Sequence, residues 1–224
     1  MQAISLRSYT QDSLNRLLLS IPFYRTIQQQ DDYQYQLLLA QSKFIEFQSG
    51  EMVLREGQVD ESVYFLLQGQ LDVVVGKDEQ SVNTITPGEV FGDLTVLLHS
   101  PRSASVKVDD NCRKAVVFCT DFKVFGELTD TRTISLATKL HYFRNVAHNL
   151  RWKLEMYRTA YPKHALASNH RKVKLYSGPK DTMDELISLE QQAKDLAVLL
   201  INWNEEFKQL PLQMQSPDSS SHVA

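Results

Sequence analysis

Apolar positions in the first forty residues recur at helical spacing. Leu14, Leu17, Leu18 and Ile21 share one face behind Ser13, a residue suited to capping a helix N-terminus, and Pro22 interrupts the pattern. A second helical piece is predicted over about residues 32–41. From Phe44 the period falls to two. Val63, Phe65 and Leu67 lie on one face of a predicted strand, Leu71, Val73 and Val75 on one face of the next. Gly50, Gly57, Gly69, Gly76 and the Pro87-Gly88 pair punctuate this region, which predicts a small antiparallel barrel or roll. Further strand pattern runs through Ala104, Val106 and Val108 to Val116, Val117 and Phe118, and Asp121 then stands as the cap of a short helix.

The helical period returns at about residue 131, and neither Gly nor Pro occurs before Pro162. Leu136, Leu140, Phe143, Ala147, Leu150, Leu154, Tyr157 and Tyr161 alternate steps of four and three without a slip, a heptad seam that calls for a partner helix. A homodimer through residues 131–161 is the favoured reading, and packing back on the roll is its alternative. After Pro162 a polar, basic connection contains Arg171, Lys172 and Lys174, and Thr182 with Glu185 reads as a capping box. A second seam follows: Leu186, Leu189, Ala193, Leu196, Leu200, Trp203, Phe207 and Leu210. Its large aromatics suit a broader surface than a two-stranded coil, and three roles stand for residues 183–210: folding back on the first seam as an antiparallel hairpin, joining it in a four-helix dimer, or presenting a site for a protein partner.

The predicted organisation is an N-terminal helical segment (1–43), a β-roll with a short helix (44–129), a long heptad helix (130–161), a basic linker (162–180), a second heptad helix (181–210) and a Ser-rich disordered tail (211–224). The fold class is α+β.

Composition narrows the function classes. A net charge of -3 from 24 basic and 27 acidic side chains gives no chain-wide attraction to nucleic acid or anionic lipid. The residues after Pro162 lack the paired helices and basic face of a helix-turn-helix, so DNA is not an expected partner. Arg7, Asp12 and Arg16 break up the apolar start as a secretory signal would not, no run reaches the length of a membrane span, and a cytoplasmic protein without a membrane partner is expected. Cys112 and Cys119, seven apart on one predicted strand, read as reduced thiols. His141 and His148 are too far apart along a helix to share a metal, and no metal or prosthetic group is expected. No nucleophile elbow, zinc-protease or Walker motif occurs, which argues against an enzyme.

The chemistry concentrates in the loop from Phe91 to Ala104, Phe-Gly-Asp-Leu-Thr-Val-Leu-Leu-His-Ser-Pro-Arg-Ser-Ala. Gly92 lets backbone approach a ligand, a short helix from Asp93 aims free N–H groups at an anion, Asp93 offers a carboxylate to a hydroxyl, and Arg102 offers a guanidinium to a phosphate. The bland counterparts are a helix cap for Asp93 and a salt bridge for Arg102, with Asp93 among its possible partners. At these residues the sequence resembles the cyclic-nucleotide-binding domains of protein kinase A regulatory subunits, gated channels and the bacterial cAMP receptor protein. Their cassette reads Phe-Gly-Glu-Leu-Ala-Leu, then Pro-Arg-x-Ala. Phe47, Gly50, Gly57, Phe65, Gly69 and Gly88 extend the resemblance upstream.

The resemblance implies a jelly-roll-like β-roll, with N-terminal helices before it and a long dimerisation helix after it, that binds a cyclic nucleotide: cAMP first, with cGMP left open by Ser103. It assigns the phosphate to Arg102, the ribose hydroxyl to Asp93, and assisting contacts to Gly92, Leu94, Thr95, Ser103 and Ala104. Asp93 replaces the usual glutamate and is one methylene shorter. Thr95 stands where alanine is common. Tyr142 and Phe143, early in the seam, are the candidates to cover the purine, and ordinary core packing is the competing role.

Overall fold

The computed structural model describes residues 10–209. Three short helices open the described residues: α1 (Gln11–Leu19), α2 (Pro22–Gln30) and α3 (Asp32–Ala40). The cap of α1 is Thr10, whose hydroxyl accepts from the Ser13 N–H at 3.2 Å, so Ser13 lies inside the first turn. Pro22 starts α2 at a position where a missing N–H leaves no bond unmade.

Eight strands follow, β1 (Ser42–Gln48), β2 (Met52–Leu54), β3 (Ser62–Gln68), β4 (Leu71–Val75), β5 (Gln80–Ile85), β6 (Val90–Phe91), β7 (Ser105–Val108) and β8 (Lys114–Asp121), with the short helix α4 (Asp93–Leu98) between β6 and β7. They form two four-stranded sheets, ordered β1-β8-β3-β6 and β2-β7-β4-β5, and every pairing is antiparallel. Cys112 precedes β8 in the turn after β7 rather than sharing a strand with Cys119, and both thiols are free.

Alternation along β3 and β8 divides the apolar side chains between two cores. Tyr64, Leu66, Ala115, Val117 and Cys119 face the inside of the roll with Ile45, Phe47 and Val106. Val63, Phe65, Leu67, Val116 and Phe118 point the other way and pack under the helices with Phe23, Tyr24 and Ile27. The period of two is kept, yet residues 63–67 are all buried because helices cover the outer face. Phe65 lies opposite Phe118 across the β3/β8 pair, and Tyr24 makes edge contacts with both rings.

Asp121 caps a 3-10 turn at Phe122–Phe125 by accepting from the Lys123 N–H at 3.0 Å. The chain then enters the long helix α5 (Leu136–Ala160), capped by Ser135. Lys139 is buried in its first turn. Its ammonium donates to the carbonyls of Glu127, of Leu128 at 3.1 Å and of Asp130 at 2.7 Å, closing the approach loop onto the helix. Another 3-10 turn (Asn169–Lys172) precedes α6 (Met183–Gln209). Thr182 caps α6 by accepting from the Glu185 N–H at 3.2 Å. The Glu185 carboxylate accepts from Arg144 and from the Asp181 N–H instead of returning to Thr182.

The seam on α5 corrects the sequence reading. Leu140, Phe143, Ala147, Leu150, Leu154 and Tyr157 are buried within this chain, with Leu136 packed at the edge, and the helix they meet is α6 of the same chain. The two seams pack as parallel helices, since Arg144 near the start of α5 donates to Asp181 and Glu185 at the start of α6, so no antiparallel hairpin forms and the apolar stripe expected to pair two copies is already covered. At the C-terminal ends of both helices Tyr157 and Tyr161 pack against Trp203 and Phe207. Burial on α5 also spreads beyond the seam to Tyr142, Val146 and Lys153, because its other flank lies on the roll. Leu210 and the tail expected to be disordered lie outside the described residues. No described helix is long and apolar enough to cross a membrane.

Trp203 is almost wholly enclosed and ties both tyrosines of α5 to α6. Trp203→Ala is expected to lower the unfolding free energy by about 3–5 kcal/mol in a urea titration, without a change of oligomeric state in sedimentation.

Candidate functional site in the cassette between β6 and β7

The loop after β6 turns through Gly92, which has φ of +77°. A Cβ there would lie 2.8 Å from Arg102 Nη1 and 3.1 Å from the Tyr64 ring, so both the backbone angle and the space require glycine. One and a half turns of α4 follow, and His99, also at positive φ, ends the helix. The chain then returns through Pro101 to Arg102. Main-chain bonds clamp that return: the Arg102 N–H donates to Gln58 O at 2.8 Å and the Gly57 N–H to Arg102 O at 2.9 Å.

Arg102 is only 4% exposed. Its Nη2 donates to Asp60 Oδ1 at 2.6 Å and to Ser62 O at 2.9 Å, its Nη1 donates to Gly92 O, and Nε has no partner. The guanidinium also faces the Tyr64 ring at 5.9 Å. The salt bridge weighed for Arg102 thus exists, but with Asp60, half-buried in the loop before β3, and not with Asp93. Sequence reading did not single out Asp60. It lies 42 residues from Arg102, and no periodic signal links the two.

Asp93 is 2% exposed, and its Oδ2 has no hydrogen-bond partner. Burial pushes its carboxyl above the ordinary range, while the charges of Lys153 and Arg102 and the N–H groups of Asp93 and Leu94 pull the other way. Lys153 reaches in from α5 and donates to Val90 O at 3.2 Å. Asn204 reaches in from α6 and donates to Ser103 Oγ at 3.0 Å.

These groups surround one cavity of about 70 Å³. Gly92, Asp93, Leu94, Thr95, Arg102, Ser103 and Ala104, the residues singled out from sequence, all line it. Lys153, Tyr157, Leu200 and Asn204 line it as well, and those four were not anticipated. Lys153 sits beside the seam, where a lysine reads as solvated, and only the fold directs it inward. Tyr142 and Phe143 do not line the cavity. Tyr142 is enclosed by Phe23, Phe122, Phe125 and Phe143, and Phe143 borders a separate groove beside α4. Of the aromatic residues of α5, Tyr157 is the one placed at the cavity.

The site therefore combines one enclosed cation pair, one enclosed carboxylate with a free oxygen, and an apolar wall. A phosphate and a hydroxyl are complementary to those polar groups. The cavity is well below the several hundred Å³ (about 300 or more) of typical ligand pockets, because Leu200 and Asn204 of α6 close its outer side.

Two substitutions test this geometry. Gly92→Ala is expected to cost about 1–3 kcal/mol in urea unfolding, from the positive φ and the displaced guanidinium. Asp93→Asn should raise Tm at pH 7. The folded carboxyl binds its proton more tightly than the unfolded one, so its ionised form opposes folding at any pH above the unfolded value. The gain should therefore shrink as pH falls towards about 4, below which the carboxyl is neutral in both states, and melting curves across that range read it directly.

Residues 44–127 match the family model described as the cyclic nucleotide-binding domain. Human potassium/sodium hyperpolarization-activated cyclic nucleotide-gated channel 3 is 36% identical over 76 residues, 34% of this chain and 10% of the channel. Channel 2 of the same series from Mus musculus is 32% identical over 76 residues, 34% of this chain and 9% of the channel. The chain thus spans about a tenth of the length of these curated relatives. Among solved structures, a putative cyclic nucleotide-binding protein from Geobacter metallireducens has a similar fold, with a TM-score of 0.50 at 17% identity, over 62% of this chain and 96% of that one. By this match residues 44–127 are identified with the cyclic nucleotide-binding domain family.

Proposed function

We propose that the protein is a non-catalytic, cytoplasmic cyclic-nucleotide sensor whose ligand is cAMP and whose output is the position of α6. The observation that carries this reading is the pairing, around one cavity, of Arg102 with a free Nε and Asp93 with a free Oδ2. A cyclic phosphate supplies the anion that Arg102 and Lys153 attract, and a ribose hydroxyl supplies the donor that Asp93 lacks. Burial without a partner is costly for both groups, so a ligand that pairs them gains from the desolvation already incurred.

The size of the cavity supports the coupling. A nucleotide does not fit while Leu200 and Asn204 stay in place, so entry requires the last turns of α6 to move outward or repack over the base. Binding and the position of α6 are then linked in both directions. Because α6 fills the α5 seam, the responding unit is the α5/α6 pair of one chain rather than two α5 helices across a dimer. Ser103 is held by Asn204 in the closed form and becomes available to a ligand when α6 shifts. Its hydroxyl leaves room for cGMP as a weaker ligand.

A second reading has its own observation. Asp60 already neutralises Arg102, as expected of a roll that keeps its architecture and holds no ligand, with the α5/α6 pair acting as a scaffold.

Titration calorimetry with cAMP, cGMP and a cyclic dinucleotide separates the two. The sensor reading expects cAMP to bind with Kd below about 100 μM, a free energy near -5.5 kcal/mol, and Arg102→Ala to abolish the heat. Hydrogen exchange in residues 200–209 should rise or fall on cAMP addition while the roll's strands stay protected. No binding by any of the three ligands leaves the scaffold reading.

A further inference from the structure

We propose that the face formed by the second half of α5 and its connection to α6 docks on an anionic lipid surface. The net charge of the whole chain conceals this face. Of 24 basic and 27 acidic side chains, residues 151–180 hold eight and one, so the other residues hold 16 and 26. Lys153 is directed into the cassette cavity, and its neighbour Trp152 points out to solvent. The remaining seven basic side chains are left to the connection and the outer side of α5. Glu155, the one acid, accepts from Arg158, His170 and Arg171, so its charge is offset within the face.

Large apolar side chains stand among these cations. Of the seven exposed large hydrophobic residues among the described residues, three fall in this segment: Trp152 at 59%, Met156 at 49% and Leu175 at 64% exposure. Trp152 and Met156 are one helical turn apart on α5 and share a face. Leu175 follows Lys172 and Lys174 in the connection. The 3-10 turn brings His170 and Arg171 against α5, where they line an open cleft of about 330 Å³ with His148, Arg151, Trp152 and Glu155. Arg151 donates to His170 O at 3.0 Å and keeps Nη2 without a partner.

Lysines and arginines around projecting Trp, Met and Leu match the interface of a bilayer, where phosphate headgroups meet the cations and the acyl boundary takes the apolar tips. Nucleic acid would satisfy the cations and stack on Trp152, but it offers nothing to Met156 or Leu175. Hydrocarbon takes all three. The expectation of no membrane partner rested on charge averaged over the chain and on the lack of a spanning run, and neither addresses a locally basic segment with exposed apolar side chains.

The full chain should co-sediment with phosphatidylcholine vesicles containing about 30% phosphatidylglycerol and not with pure phosphatidylcholine. The bound fraction should fall as salt rises from about 0.1 to 0.5 M, since headgroup attraction is screened. Lys163, Lys172 and Lys174 are exposed, and replacing all three by Gln should lower the partition coefficient roughly 100-fold, about five-fold for each charge. Trp152→Ser should weaken binding about ten-fold while keeping the preference for anionic vesicles. Unchanged thermal melts establish that each variant is folded. Absence of co-sedimentation, equal binding to neutral vesicles, or an unaffected triple variant overturns the proposal. Retention of duplex DNA without vesicle binding overturns it in favour of nucleic acid. None of these results depends on whether the cassette binds a nucleotide.

Discussion

A guanidinium removed from water must find acceptors for its donors, and around Arg102 that demand organises the roll. Its acceptors come from three stretches of chain: Asp60 in the loop before β3, Ser62 at the start of β3, and Gly92 at the turn into α4. Gly92 must lack a side chain for the contact to form, and Tyr64 supplies the ring beside it. The cassette is thus fixed against the sheet by one side chain, and the short helix α4 inherits its position from that anchor. An enclosed ion pair of this kind adds little net stability but is costly to break, so it specifies a conformation more than it strengthens the fold.

The parallel pair of α5 and α6 is the second fixed relation. Its two apolar seams cover each other, and the aromatic end at Tyr157, Tyr161, Trp203 and Phe207 lies where the pair meets the cassette. Charge and polarity are distributed around α5 accordingly. Lys153 faces the cavity, Leu154 faces α6, and Trp152 faces outward. One helix therefore borders the candidate ligand site, α6 and the cleft beside Trp152. A displacement of α6 would be felt by α5 on all three sides, because packed interiors shift as units.

Much of the roll was legible in the chain. The period of two at Val63, Phe65 and Leu67, the glycines at the turns, and the Gly-Asp to Pro-Arg spacing located the strands and the cassette, because backbone geometry and local steric rules act over a few residues. Every cassette residue chosen from the sequence lines the cavity. The capping residues were partly legible: Thr182 and Asp121 cap as expected, while Thr10 takes the place expected for Ser13.

The sequence by itself determined where apolar stripes must be buried and which residue types could meet a phosphate and a hydroxyl. It did not determine what those stripes meet. A heptad seam is satisfied equally by a second copy or by a later segment of the same chain, and only the connection through residues 162–182, which runs back along α5 to its start, decided for α6. Partners separated by many residues were likewise invisible: Asp60 for Arg102, Asn204 for Ser103, and Lys153 for the cavity. Such contacts carry no periodic signature, because they arise from where the elements cross rather than from any repeat along them. Tertiary structure alone also brought His170 and Arg171 of the connection beside Trp152.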